Sequence, residues 1–158
     1  MSSTAIQDHY PEESSHCFGC GYSNPAGHQL RSYWNGGTAI AQFTPDERYT
    51  AVPGYVYGGL IASLIDCHGT ATAAAALCQA RNRPLDDGPL PRFVTAALKI
   101  DYLAPTPLGL KLELIGKAVE VKDRKVVVEI TLVANGTRCA SAEVIAVLVP
   151  TSMLQRGA

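Results

Sequence analysis

Four segments in the second half of the chain are rich in β-branched residues or alternate between hydrophobic and polar positions. Both features are typical of β-strands. The four predicted strands are FVTAALKIDYLA, LKLELIGKAVEV, KVVVEITLVA and RCASAEVIAVLV. Turn residues separate them, and Asn135-Gly136 between the last two favours the tight turn of an antiparallel hairpin.

A further hairpin is predicted nearer the N-terminus, where QLRSYW and TAIAQF flank Asn35-Gly36-Gly37. Glycines supply the positive φ angles that a short turn needs. The preceding residues, 1–15, are polar and aperiodic, so we expect them to form a mobile arm. The ordered domain is then expected over residues 16–150, followed by a short C-terminal tail over residues 151–158.

The only long helix is predicted from Gly58 to about Gln79, because this stretch lacks proline and contains the alanine-rich TATAAAAL. The next segment, ARNRPLDDGPLPR, has three prolines and must be a loop. Two strands, one apolar helix and four further strands predict an α+β fold without βαβ units. We expect a curved antiparallel sheet wrapped around the helix, with an edge or face that a second copy can cover.

Composition narrows the class of protein. A chain of 158 residues with 47% hydrophobic residues can bury the core of one domain. The formal net charge of −1 and the absence of a long basic run give no reason to expect nucleic acid or an anionic membrane as a partner. The N-terminus lacks a signal-peptide pattern, and the odd number of cysteines, five, indicates reduced thiols. A cytoplasmic location is therefore expected.

The predicted helix carries one carboxylate, Asp66, in a mostly apolar stretch. At about 100° per residue, small residues lie within about 60° of it: Gly59, Ala62, Ser63, Thr70 and Ala73. The opposite side carries Leu60, Ile61, Leu64 and Ile65, which are expected to pack on the sheet. Asp66 either hydrogen-bonds to a neighbouring loop or strand end, or acts in this groove as a general base or nucleophile.

Two glycines, Gly58 and Gly59, open the helix. They either relieve a tight entry from the preceding loop or leave backbone N–H groups free to polarise a carbonyl oxygen. These two roles are compatible.

The cysteines and histidines offer further candidates. Cys17 and Cys20, with His16, look like half of a zinc knuckle, but a second cysteine pair at this spacing is missing. Four ligands would need Cys67 or Cys78 from the helix, or the same segment of another subunit. Buried packing thiols are therefore favoured over a metal site. His68 lies about 200° around the helix from Asp66, so a hydrogen-bonded core histidine is expected there.

Three motifs together resemble the hotdog-fold acyl-CoA thioesterases, in the branch related to the phenylacetate-pathway thioesterase PaaI. They are CFGCGYSNPAGHQL, GGLIASLID and VTAALKIDYLAP. The resemblance implies a hotdog fold and hydrolysis of an acyl-CoA without a cofactor. It further implies that Asp66 is the base or nucleophile, that the Gly58 N–H polarises the thioester carbonyl, and that Thr95 positions Asp66 or the attacking water.

The chain departs from the family pattern at two positions. Tyr57 stands where the family often has histidine, and Ala51 stands where several members have an amide side chain. Tyr57, Gly59 and Ser63 are expected to line the substrate space. Strict strand alternation would place Thr95 on the face opposite the helix, together with Lys99, unless a bulge re-aims it.

Two rival functions remain open from the sequence. A non-catalytic acyl-CoA-binding or regulatory protein would keep the groove without needing Asp66. A dehydratase or hydratase would need a histidine opposite the carboxylate.

The spacing of Gly58 and Asp66 predicts an oligomer. These residues lie eight positions apart on one helix, about 12 Å along its axis, so they cannot serve one carbonyl within one subunit. We therefore expect a homodimer with shared active sites, or a homotetramer made of two such dimers.

Overall fold

The computed structural model describes residues 2–155 of the chain. Six antiparallel strands form one sheet, in the order β1-β2-β4-β5-β6-β3. Their bounds are β1 Ser32–Trp34, β2 Ala39–Phe43, β3 Phe93–Tyr102, β4 Leu112–Val121, β5 Lys125–Ala134 and β6 Thr137–Leu148. One long helix, α1 (Gly58–Ala80), lies between β2 and β3 in the chain, and a short helix, α2 (Thr151–Leu154), follows β6.

Helix α1 contacts all six strands, so the sheet curves around it. The side of the helix expected to face the sheet is buried, since Leu60, Leu64 and Ile65 are fully enclosed. The inward residues of β4 and β5, such as Leu114 and Ile130, complete the core. The predicted α+β fold, with a curved antiparallel sheet around one long helix, is confirmed.

The two predicted hairpin turns are present. Gly36 has a positive φ of 61° in the turn between β1 and β2. Asn135 and Gly136 have φ angles of 47° and 77° between β5 and β6, which is the backbone that a two-residue hairpin turn requires.

Strand β3 contains a β-bulge that decides which side chains face the helix. Thr95 pairs with Ala146 and Ala97 pairs with Ile145 of β6, so Ala96 is an extra residue without a partner position. The inward residues are Phe93 and Thr95 before the bulge, but Ile100 and Tyr102 after it. The bulge considered from the sequence therefore places Thr95 on the helix side of the sheet.

The N-terminal segment is a correction to the sequence-based expectation of a mobile arm. From residue 2 onward it packs on the domain, with Ile6 fully buried and Tyr10 almost fully buried. The Gln7 carboxamide accepts a hydrogen bond from the Ser32 backbone N–H over 2.8 Å. The segment forms short 3-10 turns, so its few apolar residues reach the core without a helical or strand period. Met1 lies outside the described residues.

The second half of α1 lies very close to the sheet. A Cβ on Gly69 would come within 2.7 Å of a Val144 methyl group, and a Cβ on Gly116 within 2.5 Å of the Thr72 hydroxyl. By length and composition α1 is apolar enough to cross a membrane, but 83% of its most apolar window is buried inside this fold. Its apolar surface is thus the surface that the sheet and the N-terminal segment cover.

Candidate active site

The carboxylate of Asp66 and the hydroxyl of Thr95 meet between α1 and β3. The Thr95 Oγ1 donates a hydrogen bond to Asp66 Oδ1. Asp66 is half-buried, and within residues 2–155 it forms no ion pair. The arrangement leaves a carboxylate oriented by one hydroxyl, with its other oxygen free to accept a proton or to attack an electrophile.

The first turn of α1 is shaped by two tyrosines. Tyr57 is the N-cap residue, and its ring lies over Gly59, where a Cβ would come within 2.3 Å of the ring. Tyr102 of β3 donates a hydrogen bond from its hydroxyl to the Gly58 carbonyl over 2.8 Å. Glycine at position 59 therefore makes room for the Tyr57 ring, and Tyr102 fixes the backbone beside Gly58.

The backbone N–H groups at the start of α1 are available. In the described part of the chain, the N–H groups of Gly58 and Gly59 donate to no protein acceptor. The first N–H groups of a helix lack intrahelical partners and carry partial positive charge. This helix start can accordingly donate to an oxygen atom that becomes negatively charged.

The stripe of small residues around Asp66 is shorter than the sequence predicts. Ala62 and Ser63 are half-exposed, as a groove requires, but Thr70 and Ala73 are buried. From Cys67 to Cys78 the helix is buried on every side, with the sheet on one side and the N-terminal segment against Cys67, which the helical angle alone does not show. The groove therefore runs from Gly59 to Asp66 and ends there.

His68 belongs to the core, as the sequence predicts. Its Nε2 lies 3.1 Å from the Ala39 carbonyl, to which it donates, and its Nδ1 accepts from the Ser32 hydroxyl over 2.8 Å. Burial lowers the pKa of His68 to about 4, so the ring is neutral at pH 7. Both ring nitrogens are occupied, and the ring faces away from the Asp66 groove.

One chain does not bring all of the predicted site residues together. Asp66 and Thr95 are in contact, whereas Tyr57, Gly58 and Gly59 lie at the other end of the groove, about 12 Å away along the helix axis. Ser63 lies between them, beside the loop that contains Gly19. Among residues 2–155, Asp66 accepts a side-chain hydrogen bond from Thr95 alone, so no hydrogen bond to Asp66 joins the two ends of the groove.

Two features of the site are absent from the sequence-based prediction. Tyr102 donates to the Gly58 carbonyl, and it was not among the predicted site residues although strand alternation puts it on the same face as Ile100. The thiol of Cys67 lies 3.7 Å from that of Cys17. The signal for the second was present, since Cys67 was one of two helical cysteines able to join the Cys17 and Cys20 pair.

A single six-stranded antiparallel sheet wrapped around one long helix, with a carboxylate in the helix groove, defines a hotdog-fold protein of the thioesterase class. A family model described as the Thioesterase superfamily matches residues 53–141. The chain belongs to this family. A search of curated proteins finds no match.

Solved structures agree with this assignment. A thioesterase superfamily protein from Shewanella loihica PV-4 is 51% identical, with 91% of this chain and 99% of that chain covered and a TM-score of 0.69. The Escherichia coli PaaI protein from the phenylacetic acid degradation operon shares the fold at 16% identity, with 78% and 81% coverage and a TM-score of 0.63. A Streptococcus mutans UA159 protein, solved bound to acetyl CoA, shares it at 20% identity, with 76% and 88% coverage and a TM-score of 0.61.

Proposed function

We propose that the protein hydrolyses acyl-CoA thioesters to a free acid and CoA, with Asp66 as general base or nucleophile. The observation that carries the proposal is the contact of the Thr95 hydroxyl with the Asp66 carboxylate, on the half-exposed face of α1. Family membership supports thioester hydrolysis, and the acetyl CoA bound to the Streptococcus mutans protein supports CoA esters as the substrate class.

The chemistry needs three groups around one carbonyl. As a base, Asp66 takes a proton from water while the water oxygen attacks the thioester carbon, and the carbonyl oxygen becomes an oxyanion. The Gly58 N–H donates to that oxyanion. The tetrahedral intermediate then collapses and expels CoA as a thiolate, which takes up a proton, so that acid and CoA thiol are released.

In the nucleophilic variant, Asp66 attacks the carbonyl itself and CoA leaves at once. A mixed anhydride forms between Asp66 and the acyl group, and water then hydrolyses it. Repeated turnover in heavy-oxygen water, followed by mass spectrometry, tests for the anhydride. Label in the Asp66 side chain identifies an anhydride that water opens at the Asp66 carbon, whereas label only in the product acid fits the base and also an anhydride opened at the acyl carbon.

We propose that each active site is shared between two subunits. The separation of about 12 Å between Gly58 and Asp66 requires that the two groups at one carbonyl come from different chains. Strand β3 is an edge of the sheet, and large hydrophobic side chains on or near it are exposed. They are Tyr57, Leu98, Tyr102 and Leu103. A two-fold axis beside this edge would cover them and build two equal sites.

Thiol release tests the activity. We expect wild-type protein to release CoA thiol from short-chain, phenylacetyl or long-chain CoA esters. Asp66→Asn should lower turnover at least about 100-fold, the order expected for loss of a positioned base or nucleophile. Asp86→Asn, in the exposed loop after α1, is the matched control and should keep wild-type turnover.

The same assay separates the rival functions. Near-native turnover by Asp66→Asn on every ester would overturn the role of Asp66. Tight acyl-CoA binding without thiol release by the wild type would instead indicate a binding or regulatory protein. A hydratase is disfavoured because His68 is buried, neutral at pH 7 and fully hydrogen-bonded.

Complementation tests the shared site. Gly58→Pro removes the N–H at the first helical position, where proline is well tolerated, and Gly58→Ala keeps it as the matched control. Co-refolded Asp66→Asn and Gly58→Pro subunits should regain activity, because a heterodimer contains one centre with both native groups. Heterodimers that form but stay as inactive as their parents would refute the shared site.

A further inference from the structure

Three cysteine thiols meet where the N-terminal segment crosses α1. The sulfur atoms of Cys17, Cys20 and Cys67 all lie within 4.8 Å of one another, and those of Cys17 and Cys67 are 3.7 Å apart. Neither Cys78 nor Cys139 belongs to this cluster. All five cysteines are free thiols. A cluster of three sulfurs drawn from two distant parts of the chain needs a physical reason.

The spacing suits a tetrahedral metal centre. With sulfur ligands at about 2.3 Å from zinc, two ligands of a tetrahedron lie about 3.8 Å apart. The distance between Cys17 and Cys67 is close to this value. Cys17 and Cys20 also have the Cys-x-x-Cys spacing of many zinc sites.

The loop that carries Cys17 and Cys20 is built to approach the helix closely. A Cβ on Gly19 would come within 2.2 Å of the Cys67 sulfur, so any other residue there would push the loop away. A Cβ on Gly21 would come within 2.3 Å of the Ser15 carbonyl, and the Gly21 N–H donates to the Cys17 carbonyl over 2.7 Å. The two glycines thus hold both loop cysteines against Cys67.

A half-buried cation, Arg92, lies on the Tyr10 ring in the same N-terminal region. The Arg92 guanidinium stacks on the Tyr10 ring at 4.7 Å, and its Nη1 atom is buried without a hydrogen-bond acceptor among residues 2–155. Burial would lower the pKa of Arg92, but Tyr10, Cys20 and Cys17 outweigh this effect and raise it, so the guanidinium stays a cation. Three thiolates around a divalent ion carry a net charge of −1, which this guanidinium balances.

We propose that Cys17, Cys20 and Cys67 bind one Zn²⁺ ion as three thiolates. Each thiol releases its proton to solvent on binding, and no electron is transferred. Cys17 is the half-exposed member of the cluster, so the fourth position is reached from its side and is filled by water. The ion would join the N-terminal segment to α1 at the residue that follows Asp66. The proposal departs from the preference for buried packing thiols drawn from the sequence.

Metal binding to the full-length chain tests the proposal. The protein is first reduced with a phosphine and stripped of metal. It is then titrated with Zn²⁺ in competition with a chromophoric chelator. The expected stoichiometry is one Zn²⁺ per chain, with a higher thermal unfolding midpoint when the ion is present. Co²⁺ in place of Zn²⁺ should give the visible bands of a tetrahedral ion and thiolate-to-cobalt charge transfer.

Cysteine variants identify the ligands. Cys17→Ser, Cys20→Ser and Cys67→Ser should each weaken Zn²⁺ binding at least about 100-fold. This is the upper end of the loss in metal affinity seen when a residue that only hydrogen-bonds to a ligand is replaced. Cys78→Ser and Cys139→Ser should bind as the wild type does. Cys17→Ser keeps the test decisive if the buried positions do not tolerate serine, because Cys17 is only half-buried.

Three results would overturn the proposal. One is reduced wild-type protein that binds Zn²⁺ no more tightly than Cys17→Ser. Another is equal weakening by Cys78→Ser. The third is a reduced protein that binds no Zn²⁺ yet readily forms a disulfide within the cluster, which would make the thiols a redox pair. None of these results depends on thioester hydrolysis.

Discussion

The two halves of α1 differ in what surrounds their polar residues. From Gly58 to Asp66 one side of the helix is half-exposed, whereas every residue from Cys67 to Cys78 is buried. In the second half the Thr72 hydroxyl donates to the His68 carbonyl, and His68 itself is bonded at both ring nitrogens. Within the described residues, Asp66 accepts a hydrogen bond only from the Thr95 hydroxyl, and it is partly exposed to water. The second half satisfies its polar groups for stability, while the first half keeps one carboxylate available for chemistry.

A new carboxylate in each half should show the difference most strongly. Ala74→Asp places an unpaired charge at a fully buried position and should cost about 4 kcal/mol or more in the free energy of unfolding. Ala62→Asp, on the half-exposed side, should cost less than about 1 kcal/mol, including repulsion from Asp66 one turn away. Urea unfolding at one protein concentration measures both. Equal costs would mean that the first half is covered as fully as the second.

The buried histidine of the second half should make stability depend on pH. Burial lowers the pKa of His68 from 6.5 to about 4. Between pH 6.5 and 4 the histidine is therefore mostly protonated in the unfolded chain but mostly neutral in the folded chain. The stabilising contribution is complete above pH 6.5 and should fall by about 3 kcal/mol as the pH drops to 4.

The variant His68→Gln supplies the comparison for this pH effect. Glutamine can donate to the Ala39 carbonyl but does not titrate, so this component of the pH dependence should disappear from its unfolding free energy. An unchanged slope between pH 6.5 and 4 in the variant would assign the effect to other groups.

The hydroxyl that contacts Asp66 should matter to turnover more than to stability. Thr95→Ala should lower turnover about 10- to 100-fold with little change in the Michaelis constant, because the carboxylate loses its orienting donor. Thr95→Ser keeps the hydroxyl and should stay within about threefold of wild type. An effect on the Michaelis constant alone would make Thr95 a wall of the substrate groove.

The smallest effect is expected at the start of the helix. Gly59→Ala adds a Cβ that meets the Tyr57 ring, and that ring is exposed and free to turn aside. We expect the unfolding free energy to change by less than about 1 kcal/mol, since the gain in helix propensity offsets part of the displacement. Parallel measurement of the Michaelis constant shows whether the Tyr57 ring contacts the substrate, because only then does its displacement raise that constant.

The fold could be predicted from the sequence because the strands and the helix follow regular hydrophobic patterns. Each predicted strand and the long helix lie within a few residues of their observed bounds, and the Asn135-Gly136 turn has the expected backbone. The packing of the N-terminal segment was not predicted. Ile6 and Tyr10 reach the core through short 3-10 turns, which leave no helical or strand pattern in the sequence.

Only part of the candidate site could be predicted from the sequence. Asp66 stands out as one carboxylate in an apolar helix, but the direction of Thr95 depends on the strand register, which is a property of the β3 and β6 pair. The burial of Thr70 and Ala73 depends on how the rest of the chain packs around α1. The thiol cluster needs the path of a loop across the helix, and sequence spacing alone does not contain that path.

The unpaired Ala96 of β3 has a consequence for how this protein can change over time. One additional residue lets Thr95 face the helix together with Ile100 and Tyr102. An in-frame deletion of the Ala96 codon would turn either Thr95 or the other two outward, although the gene would still encode all three residues. Insertions or deletions of one codon are therefore a route by which a lineage gains or loses this arrangement without any substitution. When related proteins are compared, the number of residues in β3 should be checked first, because it determines whether the bulge is present.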